Sequence, residues 1–378
     1  MQYRLFGHRT GRQISVLTLG TMRFLHGWDA PHDDLPEDSC HNSEAILRVA
    51  LQSGINLIET ARGYGKSERL IGRALARIGR PRSSYLLMTK AAPLPSARQM
   101  RLAIDESLQR LGVDFIDFFA LHGLNTHDDR SAVFGPDRAL AGLQQAQAER
   151  LIGHIGFSTH ATFEQIEPLI ATGVFDFVNL HYYAFRPGNR PAVAMAHQAG
   201  MGVLIISPND KGGHLYQPSH RLQQLTAPLH PVHYNERWLL RQSQVHTLSI
   251  GLSEPDQLAI HLASLDKEWD EVEQDVADRL DQTGRQSPWY GCLSCTRCLP
   301  CPQQIDIPEL LRLACLADCF GLSSYAHDRY GQMRPGDRWV PGAPGDRCDR
   351  CGDCLPRCPA QLVIPEQLQR AHHLLAAI

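Results

Sequence analysis

The chain has 378 residues, 43% of them hydrophobic and 20% charged, with 37 lysines and arginines against 40 aspartates and glutamates for a net charge of −3. That is the composition of an ordinary globular protein long enough for two domains, without the basic excess that nucleic acid binding requires. No apolar stretch approaches the ~20 residues that span a bilayer, and the N-terminus MQYRLFGHRT lacks the apolar core of an export signal, so the expectation is a cytoplasmic protein that binds neither membrane nor nucleic acid.

From residue 15 to about residue 265, short apolar runs alternate with amphipathic stretches. The runs are SVLTLG (15–20), INLI (55–58), YLLMT (85–89), FIDFFAL (115–121), IGHIGF (152–157), FDFVNL (175–180), GVLIIS (202–207) and VHTLSIG (245–251). Between them lie helical patterns such as EAILRVALQSG (44–54), SERLIGRALARIG (67–79) and SARQMRLAIDESLQRLG (96–112). Continuous apolar runs separated by helices predict a parallel sheet buried on both faces. Eight repeats match a (β/α)8 TIM barrel, and a doubly wound open sheet is the runner-up. Residues 22–42 read as a long polar loop able to cover the barrel mouth.

In such a barrel the chemistry lies just past the C-terminal end of each strand. Those positions hold Glu59 to Tyr64, Lys90, His122, Ser158 and Thr159, His181 to Tyr183, Ser207 to Gly213, and Ser253. Lysine is scarce here; Lys66, Lys90, Lys211 and Lys267 are the only ones, and arginine is the default cation. A lysine is thus an informative choice, because its charge is compact and its pKa tunable. Taken singly, Tyr64 is more often a packing residue, and Lys90 and His122 surface or core residues. Their placement after three successive strands is what singles them out.

Residues 266–287 are charged and helical in pattern, and Ser287-Pro288 punctuates the chain. The expected division is a barrel over 1–287 and a small, mostly α-helical ferredoxin-like domain over 288–378. Two cysteine runs carry that second reading: Cys292, Cys295, Cys298 and Cys301 before Pro302, and Cys348, Cys351, Cys354 and Cys358 before Pro359. Three cysteines at x2 intervals and a fourth before proline is the ligand spacing of a [4Fe–4S] ferredoxin, in which each Cys-Pro cysteine ligates the other run's cluster. The expected sets are Cys292, Cys295, Cys298 and Cys358 for one cubane, and Cys348, Cys351, Cys354 and Cys301 for the other. The first run ends C-x2-C-P where C-x3-C-P is usual, so one cluster or two remain open. Zinc and disulfides are the rival readings of the same residues. Cys315 and Cys319, at i, i+4 on the helix IPELLRLACLADCFGL, read as core thiols, and Cys40 stands alone.

The barrel half resembles the aldo-keto reductase family, in the branch with a C-terminal 4Fe–4S domain. The resemblance is carried by GINLIETARGYGKSERLIGRAL (54–75), SLQRLGVDFIDFFALHG (107–123), LIGHIGFST (151–159) and the late G-x-S-x-x-x-QL (251–258). It implies a nicotinamide-dependent oxidoreductase acting on a small carbonyl or alcohol. Tyr64 would be the proton donor, Lys90 its acidifying neighbour, His122 the residue that orients the carbonyl, and Glu59 the carboxylate supporting the lysine. The family has an aspartate at that last position, one methylene shorter. A free phenol has a pKa of about 10, so an adjacent ammonium would make it a better acid. The cofactor, NADP or NAD, would meet Ser158, Thr159, Ser207, Pro208, Lys211, Gly212, Gly251, Ser253 and Gln257. Two departures stand out: Ile206 where an aromatic usually stacks, and Glu254 where a cation would take a 2′-phosphate.

A hydride carries two electrons and a cubane accepts one. Either a redox partner protein bridges the two halves or the clusters are structural. The alternative function is an electron relay or binding protein with a catalytically silent barrel.

Overall fold

The computed structural model describes residues 1–25, 33–209, 214–265, 269–337 and 339–376. A short antiparallel hairpin, β1 (Tyr3–Leu5) and β2 (Gln13–Ser15), opens the chain. Eight strands follow, each from one of the apolar runs: β3 (Leu17–Gly20), β4 (Leu57–Glu59), β5 (Leu86–Ala91), β6 (Ile116–Leu121), β7 (Ile152–Ser158), β8 (Phe177–Leu180), β9 (Gly202–Ile206) and β10 (Thr247–Gly251). They pair in parallel and in chain order, and β10 closes on β3, so the sheet is a complete barrel. The continuous apolar runs are explained by this closure, since one face of each strand fills the interior and the other packs on the surrounding helices.

The helices show why their segments fold locally. In Ala97–Leu111, the Ser96 side chain accepts from the Gln99 backbone N–H at 3.2 Å, and Gly112 ends the helix at φ 66°. Met100, Ala103, Ile104, Ser107, Leu108 and Leu111 form its buried face. The reading of residues 22–42 as one loop is corrected at its end: a helix runs Glu37–Gln52. Pro36 precedes it, and Glu37 and Asp38 lie in its first turn, where carboxylates suit the helix dipole. Residues 26–32 of that stretch lie outside the described residues.

The hairpin plugs the N-terminal end of the barrel. Phe6 is wholly buried, with its ring centroid 5.3 Å from that of Phe118 and 5.7 Å from that of Phe177. Gly202 has no side chain because a Cβ there would come within 2.7 Å of the Phe6 ring. With Ile14, Leu57, Met88, Ala120, Leu204 and Ile206, these rings fill the barrel interior and leave the opposite end open.

Beyond the barrel, helices run Glu271–Arg285, Ile307–Phe320, Ser323–Gln332 and Ile364–Ala376. Leu310, Leu311, Leu313 and Leu316 share one apolar cluster with Phe185, Leu222, Val232, Tyr234, Val276 and Leu280. The cysteine-rich segment is therefore packed on the barrel's own helices. Among the described residues no helix is long and apolar enough to cross a membrane.

Candidate functional site

The candidate residues are placed by strand ends. Glu59 is the last residue of β4, Lys90 the penultimate residue of β5, and His122 directly follows β6. Backbone bonds extend the ladder past β4: Thr60 N–H donates to Met88 O at 2.8 Å and Arg62 N–H to Lys90 O at 2.8 Å. The tight turn that follows, with Tyr64 N–H bonded to Ala61 O at 2.9 Å and Gly65 at φ 54°, projects Tyr64 over the mouth. A cavity of about 430 Å³ opens there, and Glu59, Tyr64, His122, Ser207, Pro208 and Gly251 are among its lining residues.

The rings of Tyr64 and His122 meet edge to face at 5.6 Å, and Lys90 Nζ lies 4.8 Å from the Tyr64 ring centroid. Lys90 and Glu59 are 1% and 3% exposed. The ammonium donates to Glu59 Oε1 and, at 2.6 Å, to the Thr60 carbonyl. Glu59 Oε2 accepts from Ser249 Oγ at 2.8 Å. The absence of a side chain at Gly20 leaves room for this carboxylate. A Cβ at Gly20 would lie 2.5 Å from Ser249 Oγ and 3.3 Å from Glu59 Oε2.

Burial dominates the proton equilibria. It pushes the Tyr64 phenol up and pulls the Lys90 ammonium well below its usual range. The lysine's described hydrogen bonds go to Glu59 and Thr60, and its ammonium faces the Tyr64 ring at 4.8 Å. Tyr64 is a protonated donor at neutral pH.

The nucleotide-contact residues divide. Ser207, Pro208 and Gly251 line the cavity, with Ser207 at φ 45°, an unusual backbone for a side-chain-bearing residue. Ser158 Oγ accepts from Gly123 N–H at 3.1 Å, and Thr159 Oγ1 donates to Leu124 O at 2.8 Å; both are buried below the mouth. The Gln257 side chain is turned on Ser253, accepting from its N–H at 2.9 Å and donating to its Oγ at 3.0 Å. Lys211 and Gly212 lie outside the described residues. Of the departures, Ile206 lines the cavity, and Glu254 accepts from the Asn42 amide at 3.0 Å.

Several lining residues were not anticipated. Tyr216 supplies an aromatic face, with the Arg23 guanidinium 5.1 Å from its ring. His160, two residues past β7, bonds His181 at 3.1 Å, and His181 contacts the Tyr183 hydroxyl, which donates to Ile206 O at 2.5 Å. Asn209 is held by a buried network: its amide donates to Glu236 Oε1 at 2.6 Å, and Glu236 also takes His261 and Ser264, each at 2.6 Å. Arg329 and Trp339 reach the cavity from beyond the barrel. Asn209, His181 and Tyr183 fall in strand-end segments that the sequence singles out, and His160 obeys the same rule; Tyr216, Arg329 and Trp339 carry no local signal.

The cysteines group in two. Cys292, Cys295, Cys298 and Cys358 line one small cavity whose other walls include Ile307, Leu311, Leu362 and Ile364. Burial pushes the thiols of Cys292 and Cys354 up, and that of Cys298 to about 12. Cys354 lies within the fields of Cys348, Cys351 and Cys301. Among the described residues no three His, Cys, Asp or Glu side chains converge as ligands of a single ion. A cubane spreads its thiolates over separate corners, so it is the shared cavity that bears on such a cluster. Four cysteine sulfurs around one apolar pocket are a donor set that could serve a metal centre only as thiolates, whose charge the metal would offset. Cys315 and Cys319 pair with each other, Sγ to Sγ at 3.6 Å.

Comparison with known proteins places this geometry in context. Residues 16–221 match the model of the aldo/keto reductase family. A mycobacterial aldo-keto reductase (Mycobacterium sp. strain JLS) is 30% identical over 212 residues, 55% of this chain and 69% of that protein. The L-galactose dehydrogenase of Arabidopsis thaliana is 30% identical over 173 residues, 43% of this chain and 54% of that one. The 6-dehydroglucose reductase of Novosphingobium aromaticivorans is 33% identical over 134 residues, 32% and 41%. The matches to these last two span about half the relatives' lengths or less. In fold, the chain is similar to the holo form of the aldo-keto reductase AKR11C1 from Bacillus halodurans, with TM-score 0.61, 21% identity, and coverage of 74% of this chain and 96% of that one.

Proposed function

The chain belongs to the aldo/keto reductase family, and from that premise we propose that it is a nicotinamide-dependent oxidoreductase. It reduces an aldehyde or ketone, or runs the reverse oxidation, and it carries [4Fe–4S] clusters in residues 288–378 behind a barrel of residues 1–287. The observation that carries the reading is the convergence of Tyr64, His122 and the Lys90–Glu59 pair on one cavity at the strand ends.

NADPH or NADH, when bound, would supply the hydride that reduces the carbonyl carbon and would itself be oxidised to NADP⁺ or NAD⁺. Ser207, Pro208 and Gly251 would hold it at the described part of the mouth. Tyr64 gives its hydroxyl proton to the carbonyl oxygen as negative charge develops there. An alkoxide is far more basic than a phenolate, so even a phenol raised by burial is a competent donor. His122, edge-on to Tyr64, positions the carbonyl oxygen by hydrogen bonding. Lys90, fixed by Glu59 and Thr60, then stabilises the phenolate that the transfer leaves.

In the C-terminal segment, Cys292, Cys295, Cys298 and Cys358 would hold one cubane, and Cys348, Cys351, Cys354 and Cys301 the other. Such clusters pass single electrons, and a redox partner protein would complete the path. Two measurements test the proposal. NADPH or NADH oxidation with a panel of aldehydes should be seen for the wild type and lost in Tyr64→Phe; no turnover with any member overturns the reductase. Anaerobic protein should contain about eight irons and eight sulfides per chain and give cubane EPR signals on reduction, since each cubane holds four of each. Zinc instead of iron overturns the cluster assignment.

A further inference from the structure

The candidate site is not made by the barrel alone. Two of its lining residues, Arg329 and Trp339, come from the segment that follows the first cysteine run. Trp339 stands over the two histidines of the mouth, 6.1 Å from the His122 ring and 4.9 Å from that of His160. Arg329, at the end of the helix Ser323–Gln332, donates to the Trp339 carbonyl at 3.2 Å. The tryptophan and the arginine thus form one unit on the side of the cavity where His122 and Tyr64 lie. Of the nucleotide-side residues, Ser207 and Pro208 directly follow β9 and Gly251 ends β10.

The charge of this unit is uncommitted. Arg329's other hydrogen bond is a long one, 3.5 Å to the Gln332 amide oxygen. Among the described residues it makes no ion pair. Asp337 lies within its field, but Oδ1 of that carboxylate accepts from the backbone N–H groups of Trp339 and Val340, both at 2.6 Å. Glu309, also within its field, is bound in bidentate fashion by Arg312, both bonds at 2.8 Å. Among the described lining residues Glu59 is the single carboxylate, and Lys90 neutralises it. Among the described lining residues, the charged side chains that remain are the guanidiniums of Arg23 and Arg329. A cavity with low-dielectric walls and charge of one sign favours ligands of the opposite sign, and guanidinium matches carboxylate geometry in particular.

We infer that Arg329 and Trp339 close the substrate side of the site and select a carbonyl compound bearing a carboxylate. The inference rests on the proposed reductase reading for its chemistry, but its binding component does not. The carboxylate engages Arg329, Trp339 walls the cavity, and the carbonyl is left toward Tyr64 and His122. The segment carrying the cysteines thereby completes the pocket in which the barrel would act.

The test uses the full-length chain, with Arg329→Gln, Arg329→Lys and Tyr64→Phe beside the wild type. Turnover is compared for aldehydes with a terminal carboxylate, such as succinic semialdehyde, and for their methyl esters. The readout is the ratio of kcat/KM for acid over ester. It should favour the acid in the wild type, fall at least about tenfold in Arg329→Gln, the scale of one charge-assisted hydrogen bond, and recover in part in Arg329→Lys. Calorimetric binding of glutarate, an inert dicarboxylate, is measured in parallel. Wild type should bind it measurably, Arg329→Gln at least about tenfold more weakly, and Tyr64→Phe should lose less than Arg329→Gln does. A wild-type ratio near unity, or glutarate binding equal in wild type and Arg329→Gln, overturns the inference. Glutarate binding that depends on Arg329 without any aldehyde turnover supports the anion site and overturns the reductase reading instead.

Discussion

At the C-terminal ends of the barrel strands Lys90 and Glu59 bury opposite charges beside an open cavity. At the other end Phe6, Phe118 and Phe177 fill the same cross-section with packed rings, and His246, edge-on to Phe6, is held neutral. The two ends share strands, register and closure. What differs is what each does with burial. The floor removes apolar surface from water and stabilises the fold. The mouth desolvates a phenol, an amine and a carboxylate, which costs stability and is repaid only through chemistry.

The sharpest way to break this contrast is Tyr64→Phe. At the mouth it should lower turnover by about 10²–10⁴-fold, the range for a positioned proton donor, and leave the melting temperature nearly unchanged. Equal losses of activity and stability would mean that the mouth is simply more floor. Next in size is Glu59→Gln. It leaves Lys90 buried without its counter-charge and should destabilise the protein by about 3–5 kcal/mol in urea unfolding. The double change Glu59→Gln with Lys90→Met should be less harmful to stability than the single one, while remaining inactive. If the single variant unfolds like the wild type, the pair is not the buried ionic contact described above.

At the floor the corresponding experiment is a pH dependence. Burial, aided by the nearby positive groups His197, Arg4 and His8, lowers the His246 pKa from 6.5 to about 4, and its Nδ1 accepts from Val203 N–H at 2.9 Å. A basic group depressed in the folded state gives stability that is fully present above the unfolded pKa and lost as pH falls through the folded value. Between pH 7 and pH 4 the wild type should therefore lose about 2–3 kcal/mol more than His246→Asn, whose amide oxygen can still accept from Val203 but does not titrate. Parallel stability curves for the two proteins would remove His246 from the account.

The two ends also differ in how far they could be read from the chain. All eight barrel strands were legible because a strand buried on both faces is a continuous apolar run, and Glu59, Tyr64, Lys90 and His122 were legible because they end such runs. The hairpin was not: Tyr3–Leu5 and Gln13–Ser15 are three residues each and alternate polar with apolar, so nothing distinguishes them from loop. Within the mouth, Ser249 bonds Glu59 across 190 residues of chain by barrel closure, Trp339 meets the His122 ring by docking of the later segment, and no local pattern encodes such contacts. The start of a helix at Glu37 had a signal, proline followed by two acids, that the polar composition around it obscured.

The smallest effect concerns how the mouth accommodates a glutamate. Gly20→Ala would drive a Cβ to within 2.5 Å of Ser249 Oγ and should cost about 1–3 kcal/mol as overpacking. Ser249→Ala removes the donor to Glu59 Oε2 and should cost about 1–3 kcal/mol by leaving a buried carboxylate oxygen short of a partner. The same hydroxyl underlies both penalties. In the double variant the alanine at 20 no longer meets it, so the two costs should fall short of additivity by about 1 kcal/mol. Strict additivity would mean that the Gly20 clash is relieved elsewhere, against the Ile250 carbonyl at 3.2 Å or the Glu59 carboxylate at 3.3 Å. In that case the seat of Glu59 would be set by backbone spacing between β3 and β10, and the serine would be a passenger.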